Sequence, residues 1–336
     1  MRLKDLIACL FDGHGIPRKV FFRVDAGRIK GLSFGHLARC HVLSKALKKY
    51  WNTETIFIMQ NYTDGVKHAD VLGETVSLVN DSRFNLLENL SDAIIFDLPN
   101  GPGTDELAIA KGKGLWTIIL DDTNNNVPWA NVVLNSSILA QSTNYPEEAQ
   151  LLLGSEYFIL DEQFETVECK TRRQNDLFSV LITFGGSDPT GLTLKVLKTL
   201  AKSVHPEFVF KIVLGPGYTD FEELENVVDC FSGKLNLFRN PDDLLPFFND
   251  CDLAICAGGR TLYELVALKV PTLAIASIDH EESVIDAFLK KELILGGLNE
   301  WKESDFLRLF EFTVKRCKDN ILDLNCNQVY GEGNGE

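Results

Sequence analysis

Three features are scarce in this 336-residue chain, and each scarcity excludes a class of protein. No apolar run approaches the roughly 20 residues that a membrane-spanning helix requires, so no integral membrane segment is expected. Positive charge is in deficit: 33 Lys and Arg stand against 48 Asp and Glu, a net charge of −15. Nucleic acid and anionic membrane surfaces both reward Lys and Arg, so neither is expected as the main partner. Metal-type cysteine spacing is also missing. The eight cysteines lie scattered, and Cys251 and Cys256 are too far apart for a C-x₂-C half-site. Reduced thiols in a cytoplasmic protein are the expected reading, with no cofactor and no bound metal. Lys4, Asp5 and Asp12 hem in a short apolar run at 6–11, which argues against a signal peptide. Leu3, Leu6, Ile7, Leu10 and Phe11 read instead as an amphipathic helix before the first strand.

What remains is an ordinary globular composition, 45% hydrophobic and 24% charged, long enough for two domains. Strand and helix signals alternate. Strands are expected at 20–24, 55–60, 93–98, 115–122 and 132–135, then at 177–184, 207–214, 234–238, 253–256 and 271–276. These runs are almost wholly apolar, as befits parallel strands covered on both faces. Helices are expected at 36–50, 81–90, 104–111, 191–202, 220–230, from 242, at 261–268, 281–290 and 301–316. A polar stretch at 161–176 reads as a linker. The expected fold is α/β, with two doubly wound Rossmann-like domains facing across a cleft. The expected boundaries are an extension at 1–18, a first domain at 19–165, a second at 174–300, a last helix at 301–320 and a frayed tail at 325–336.

Two strand–loop–helix junctions carry chemistry. In the first, the strand ending at Val24 leads through Asp25, Gly27 and Gly35 into a helix carrying His36 and Arg39, with Arg23 nearby. Gly35 lets a ligand approach His36 closely; the plainer reading is a helix start with a capping His. In the second, Leu253–Cys256 runs into Ala257-Gly258-Gly259 and a helix start at Arg260-Thr261. A helix N-terminus offers unpaired N–H groups and about half a positive charge, a seat for a diphosphate. Thr261 adds a hydroxyl, Arg260 a cation, and Glu264 a carboxylate suited to the two hydroxyls of a ribose; a plain capping turn is the alternative. Gly185-Gly186-Ser187-Asp188 forms a third turn, either facing the same cleft or a tight turn with an Asx cap. Asp121-Asp122 at a strand end leaves open a metal or, more simply, loop capping.

Taken together, these pieces resemble the UDP-sugar hydrolases of pseudaminic acid biosynthesis and the related spore-coat polysaccharide proteins. The matching residues are Arg23-x-Asp25, Gly35-His36-x-x-Arg39, Asp97, Ile119-Leu120-Asp121-Asp122, Asn135 and Gly154-x-x-Tyr157. In the second half they are Phe184-Gly185-Gly186-Ser187-Asp188 and Ala257-Gly258-Gly259-x-Thr261-x-x-Glu264. The order is kept over about residues 19–295. The resemblance implies a GT-B glycosyltransferase-like fold, similar in its second domain to the lipid-II-forming murein transferase, with a last helix that crosses back to the first domain. It implies metal-independent release of UDP: His36 as general base on water attacking the anomeric carbon, with Asp25 and Arg39 beside it. A free imidazole titrates near ~6.5 and is poised for that task. UDP would sit on Gly258, Gly259, Arg260, Thr261 and Glu264. Arg23, Gly35, Asp97, Asn135, Tyr157, the Gly185–Asp188 turn, His280 and Glu281 complete the implied substrate shell. Five positions depart from the family pattern: Ser33 for Gly, Arg260 for Ser, Asp161 for Arg, and His280-Glu281 for Asn-Gln. These departures bear on the sugar more than on UDP. Transfer to an acceptor hydroxyl is the second expectation, with the segment 1–11 as a candidate membrane-binding helix, and non-catalytic nucleotide-sugar binding is the third.

Overall fold

The computed structural model describes residues 1–29, 32, 34–79, 93–122, 124, 126–166, 177–202, 206–241 and 243–319. The expected helix at 81–90, most of the linker at 161–176 and the tail at 325–336 lie outside these residues. The chain divides into two compact units, one running to Glu162 and the other beginning at Gln163.

The first unit is built on seven parallel strands: β1 (Lys19–Val24), β2 (Glu54–Met59), β3 (Val76–Leu78), β4 (Ala93–Asp97), β5 (Trp116–Leu120), β6 (Val132–Asn135) and β7 (Gln150–Leu153). Their order across the sheet is β3-β2-β1-β4-β5-β6-β7. Successive side chains feed opposite faces, the two-residue period of a strand. Phe22, Phe57, Ile95, Ile118, Leu120 and Leu134 enter one core, and Phe21, Ile58, Ile94, Phe96, Ile119 and Val133 enter the other. Helix α2 (Gly35–Trp51) covers the first of these faces through Leu37, Cys40, Leu43 and Leu47.

Helix α1 (Leu3–Leu10) forms where the amphipathic pattern expects it, but it is not a detached extension. Leu3, Leu6, Ile7 and Leu10 are buried in the same core as α2. The Trp116 indole Nε1 donates to the Leu10 carbonyl at 2.9 Å. Its apolar face is therefore spent inside the unit, which removes it as a membrane-binding helix. Among the described residues, the short helices α3 (Thr63–Val71) and α4 (Thr104–Gly112) join them.

The second unit holds six parallel strands: β8 (Phe178–Thr183), β9 (Phe208–Leu214), β10 (Lys234–Arg239), β11 (Leu253–Cys256), β12 (Thr272–Ile275) and β13 (Gly296–Leu298). The order is β10-β9-β8-β11-β12-β13. The helices are α5 (Leu192–Leu200), α6 (Phe221–Asp229), α7 (Leu245–Asn249), α8 (Arg260–Ala267), α9 (Asp279–Lys290) and α10 (Glu303–Lys318). Helix α10 packs on the second sheet. Its apolar face, Phe306, Phe310, Val314 and Cys317, is buried in the second unit's own core, with Phe310 against the Phe208 ring at 5.8 Å.

In both sheets the strand order reverses beside the first strand of the unit, between β1 and β4 and between β8 and β11. Open α/β sheets bind ligands outside the carboxyl ends of the strands at such a switch point. Both junctions singled out in the sequence lie there: His36 follows β1, Asp97 ends β4, Gly185–Ser187 follows β8 and Gly258-Gly259 follows β11.

Candidate active site

The strand period decides which charged residues meet. Asp97 shares the parity of Ile95 and so faces α2. There its Oδ1 lies 2.6 Å from His36 Nδ1, and Arg39 donates to both of its oxygens, Nε to Oδ2 at 2.6 Å and Nη2 to Oδ1 at 2.5 Å. The Cys40 thiol donates to Oδ2 at 3.3 Å. Asp97 is fully buried. Burial alone would push its carboxyl up, but Arg39 and His36 more than offset this and hold it well below the usual carboxylate range. Ionised Asp97 fixes the His36 tautomer, because only Nδ1–H donating to it gives a hydrogen bond at that distance. The Arg39 Nη2 approach to Nδ1 at 3.1 Å is then two donors sharing one acceptor. Among the described residues Nε2 has no hydrogen-bond partner, and it is the basic nitrogen. The His36 side chain is 16% exposed, enough to meet a ligand.

The same parity separates Asp121 from Asp122. Asp122 follows Leu120 onto the α2 face, where both of its oxygens accept from Arg39 Nη1, at 2.6 and 2.8 Å. Asp121 follows Ile119 onto the other face and accepts from the Tyr145 hydroxyl at 2.6 Å. The adjacent carboxylates point to opposite sides of the sheet and do not form a metal pair. Among the described residues no cluster of His, Cys, Asp and Glu is arranged to hold a metal ion.

Several expected site residues are used elsewhere. Arg23 has the parity of Phe21 and lies 4% exposed on the face away from α2. It binds Asp25 Oδ1 at 2.8 Å and Glu106 Oε1 at 2.9 Å. Asp25 Oδ1 also accepts the Gln60 amide at 2.7 Å. Arg23 and Asp25 are thus a buried lock between β1, β2 and α4, not neighbours of the imidazole. Asn135 is fully buried with its polar atoms committed. Its amide donates to Tyr145 Oη and Asn124 Oδ1, and its oxygen accepts the Ser137 amide. Tyr157 leans on the apolar core next to Cys9 and Glu156 rather than on the His36 cluster. Gly35 is the first residue of α2, directly before His36.

In the second unit, Gly185 takes a positive φ of 72° and the Gly186 carbonyl accepts the Gly217 amide at 2.7 Å. Gly215 packs so closely that a Cβ there would lie 2.3 Å from the Gly185 carbonyl oxygen. The turn is therefore rigid, with Ser187 half-buried beside it. Asp188 is a helix cap: its oxygens accept the Leu192 and Thr193 amides, each at 2.8 Å.

Helix α8 starts at Arg260 with Gly259 as its N-cap, a residue with no side chain to cap the helix. Arg260 Nε sits 2.8 Å from Glu264 Oε1, one turn on, and Glu264 is mostly buried. Thr261 is half-buried on the same first turn. A Cβ on Gly258 would meet that of Glu281 at 2.8 Å, so Gly258 is what lets α9 approach. Glu281 Oε2 accepts both the amide and the hydroxyl of Ser277, at 2.7 and 2.8 Å, which fixes it beside the turn. His280 is exposed on the first turn of α9.

These two junctions can be set beside known proteins. No protein-family model matches the chain. An uncharacterized protein of Methanocaldococcus jannaschii is 29% identical over 293 residues, covering 82% of this chain; the chain spans only 59% of that protein's length. The spore coat polysaccharide biosynthesis protein SpsG of Bacillus subtilis is 23% identical over 292 residues, 82% of this chain and 83% of its own. Among solved structures, MurG of Acinetobacter baumannii superposes with a TM-score of 0.57 at 13% identity, over 91% of this chain and 99% of that one. HepE of Anabaena, solved with UDP-glucose, gives 0.57 at 12% identity over 93% of both chains. The fold is GT-B. Two doubly wound parallel sheets are its signature. In this GT-B chain Asp122, Glu106 and Cys40 are the residues around the expected site that sequence reading did not assign. Asp122 alone had a signal, the paired carboxylates closing an apolar strand.

Proposed function

We propose that this GT-B protein is a UDP-sugar hydrolase acting in surface-polysaccharide or nonulosonic acid biosynthesis. The observation that carries it is His36, whose Nδ1–H is held by a buried, ionised Asp97 while Nε2 remains a base. This is the arrangement general-base catalysis needs. Nε2 takes a proton from water as the water oxygen attacks the anomeric carbon. The bond from that carbon to the diphosphate oxygen breaks, and UDP leaves with the electron pair. The imidazolium is stabilised by Asp97 and then returns its proton to solvent.

The nucleotide assignment rests on the second unit. The α8 N-terminus and Arg260 would carry the diphosphate charge, and Glu264 would accept the ribose hydroxyls. The bound UDP-glucose of HepE and the polysaccharide role in the name of SpsG support a nucleotide-sugar substrate. Transfer to an acceptor hydroxyl is the second reading, favoured by the glycosyltransferases among the similar structures. A panel of UDP-sugars in excess EDTA, assayed for UDP with and without acceptors, separates the two. Acceptor-independent UDP release supports hydrolysis. Release only with an acceptor supports transfer, and no release from any sugar sinks both.

A further inference from the structure

The cluster around Asp97 has an unusual charge arrangement. Two carboxylates, Asp97 and Asp122, are bound to a single guanidinium. Arg39 uses Nε and Nη2 on Asp97 and gives Nη1 to both oxygens of Asp122. Were Arg39 to pair with Asp97 alone, that pair would be neutral and would offer an imidazolium little. With Asp122 present, the three charges sum to −1, and protonated His36 brings the sum to zero.

We infer that Asp122 is a positioning residue for His36: by neutralising Arg39 from the far side, it leaves the Asp97 charge available to the imidazole and holds the guanidinium in register. This rests on the reading of His36 as the general base. Among the described residues, the charged groups bonded to the imidazole are Asp97, which ends β4, and Arg39, one turn along α2, and Asp122, which follows β5, joins them through Arg39. The other buried acid groups near them are accounted for. Cys40 donates to Asp97 and is pushed up by burial and by that charge, so it stays neutral. Asp121 is turned to the other face with Tyr145. Asp122 itself is 37% exposed at its side chain, so its charge can be removed without emptying the core.

Asp122→Asn keeps the shape and one acceptor while deleting the charge. The His36 ring titration, followed by NMR on the full chain, should then move to lower pH, because a lost anion disfavours the imidazolium. Asp122→Glu should restore most of it. In UDP-release assays, Asp122→Asn should lower kcat by roughly 3–30-fold, shift the acid limb of kcat/KM to lower pH by the same amount, and leave KM within two-fold. If Asp122→Asn does not fold, Asp122→Ser is measured in its place. A His36 titration that is unchanged or moves up in the folded variant overturns the inference. Failure of wild type to release UDP from any sugar would sink the hydrolase reading alone, because the ring titration reports on Asp122 without turnover.

Discussion

Asp97→Asn is the substitution whose consequences follow most directly from the geometry. The carboxylate accepts from His36, from Arg39 twice and from Cys40, all without solvent. An amide of the same size has one acceptor oxygen, and its NH₂ must face a donor on the other side. Removing one partner of a buried ion pair costs about 3–5 kcal/mol, and the lower end applies here because Arg39 keeps Asp122. The catalytic loss is larger in proportion. Without the anion, His36 Nδ1–H is no longer the enforced tautomer and the imidazolium has no counter-charge, a defect worth roughly 10³–10⁴ in rate. That is about 4–5.5 kcal/mol of barrier. Urea unfolding and UDP release on the same preparation separate the two effects. A folded Asp97→Asn protein within ten-fold of wild-type kcat would refute the role given to the His36–Asp97 pair.

Glu264→Ala should weaken UDP by about 1.5–3 kcal/mol in calorimetry while barely touching a ligand without ribose, and an unchanged affinity would remove the ribose assignment. Gly65→Ala should destabilise the first unit by about 1–3 kcal/mol in thermal unfolding, since the new Cβ would lie 1.9 Å from the Ala26 carbonyl oxygen and backbone must shift. Acid should weaken the first unit through Asp97 and Glu74. Burial alone would raise both carboxyls, but Arg39 with His36, and His41 with Lys48, hold them below the usual range. A depressed folded value means the stabilisation is complete above the unfolded pKa of about 4 and is lost as pH falls through the folded values. Urea midpoints should therefore hold from about pH 7 to 5 and drop below about 4, with Asp97→Asn showing a shallower drop.

Most of the sheet was legible because parallel strands buried on both faces read as bare apolar runs. Val132–Asn135 and Leu253–Cys256 fall where expected. Other elements were not foreseen. β3 is a three-residue edge strand in which Ser77 interrupts the apolar signal, and β13 opens with two glycines that carry no side-chain pattern. Helix α3 buries only Gly65 and Ala69, too little for a helical stripe. At the candidate site, His36 and Arg39 were visible as neighbours one helical turn apart. Their partners Asp97 and Asp122 come from strand ends 58 and 83 residues away from Arg39, and only strand parity brings them to α2. Parity also sends other residues of the same junction elsewhere. Arg23 and Asp25 precede His36 on one strand–loop–helix junction but belong to the opposite face of the sheet, with Glu106. Asn135 and Asp188 look like ligand contacts until their polar atoms are found committed to Tyr145, Asn124 and the α5 amides.

The central claim is that His36 activates water at the anomeric carbon of a UDP-sugar. Turnover in ¹⁸O-labelled water, run in parallel on wild type and His36→Gln, tests it most directly. The account predicts label in the released sugar and none in UDP, with His36→Gln slower by about 10²–10⁴-fold. Label in UDP would mean attack at phosphorus, and a His36→Gln protein within a few-fold of wild type would leave His36 as no more than the start of α2; either result contradicts the account.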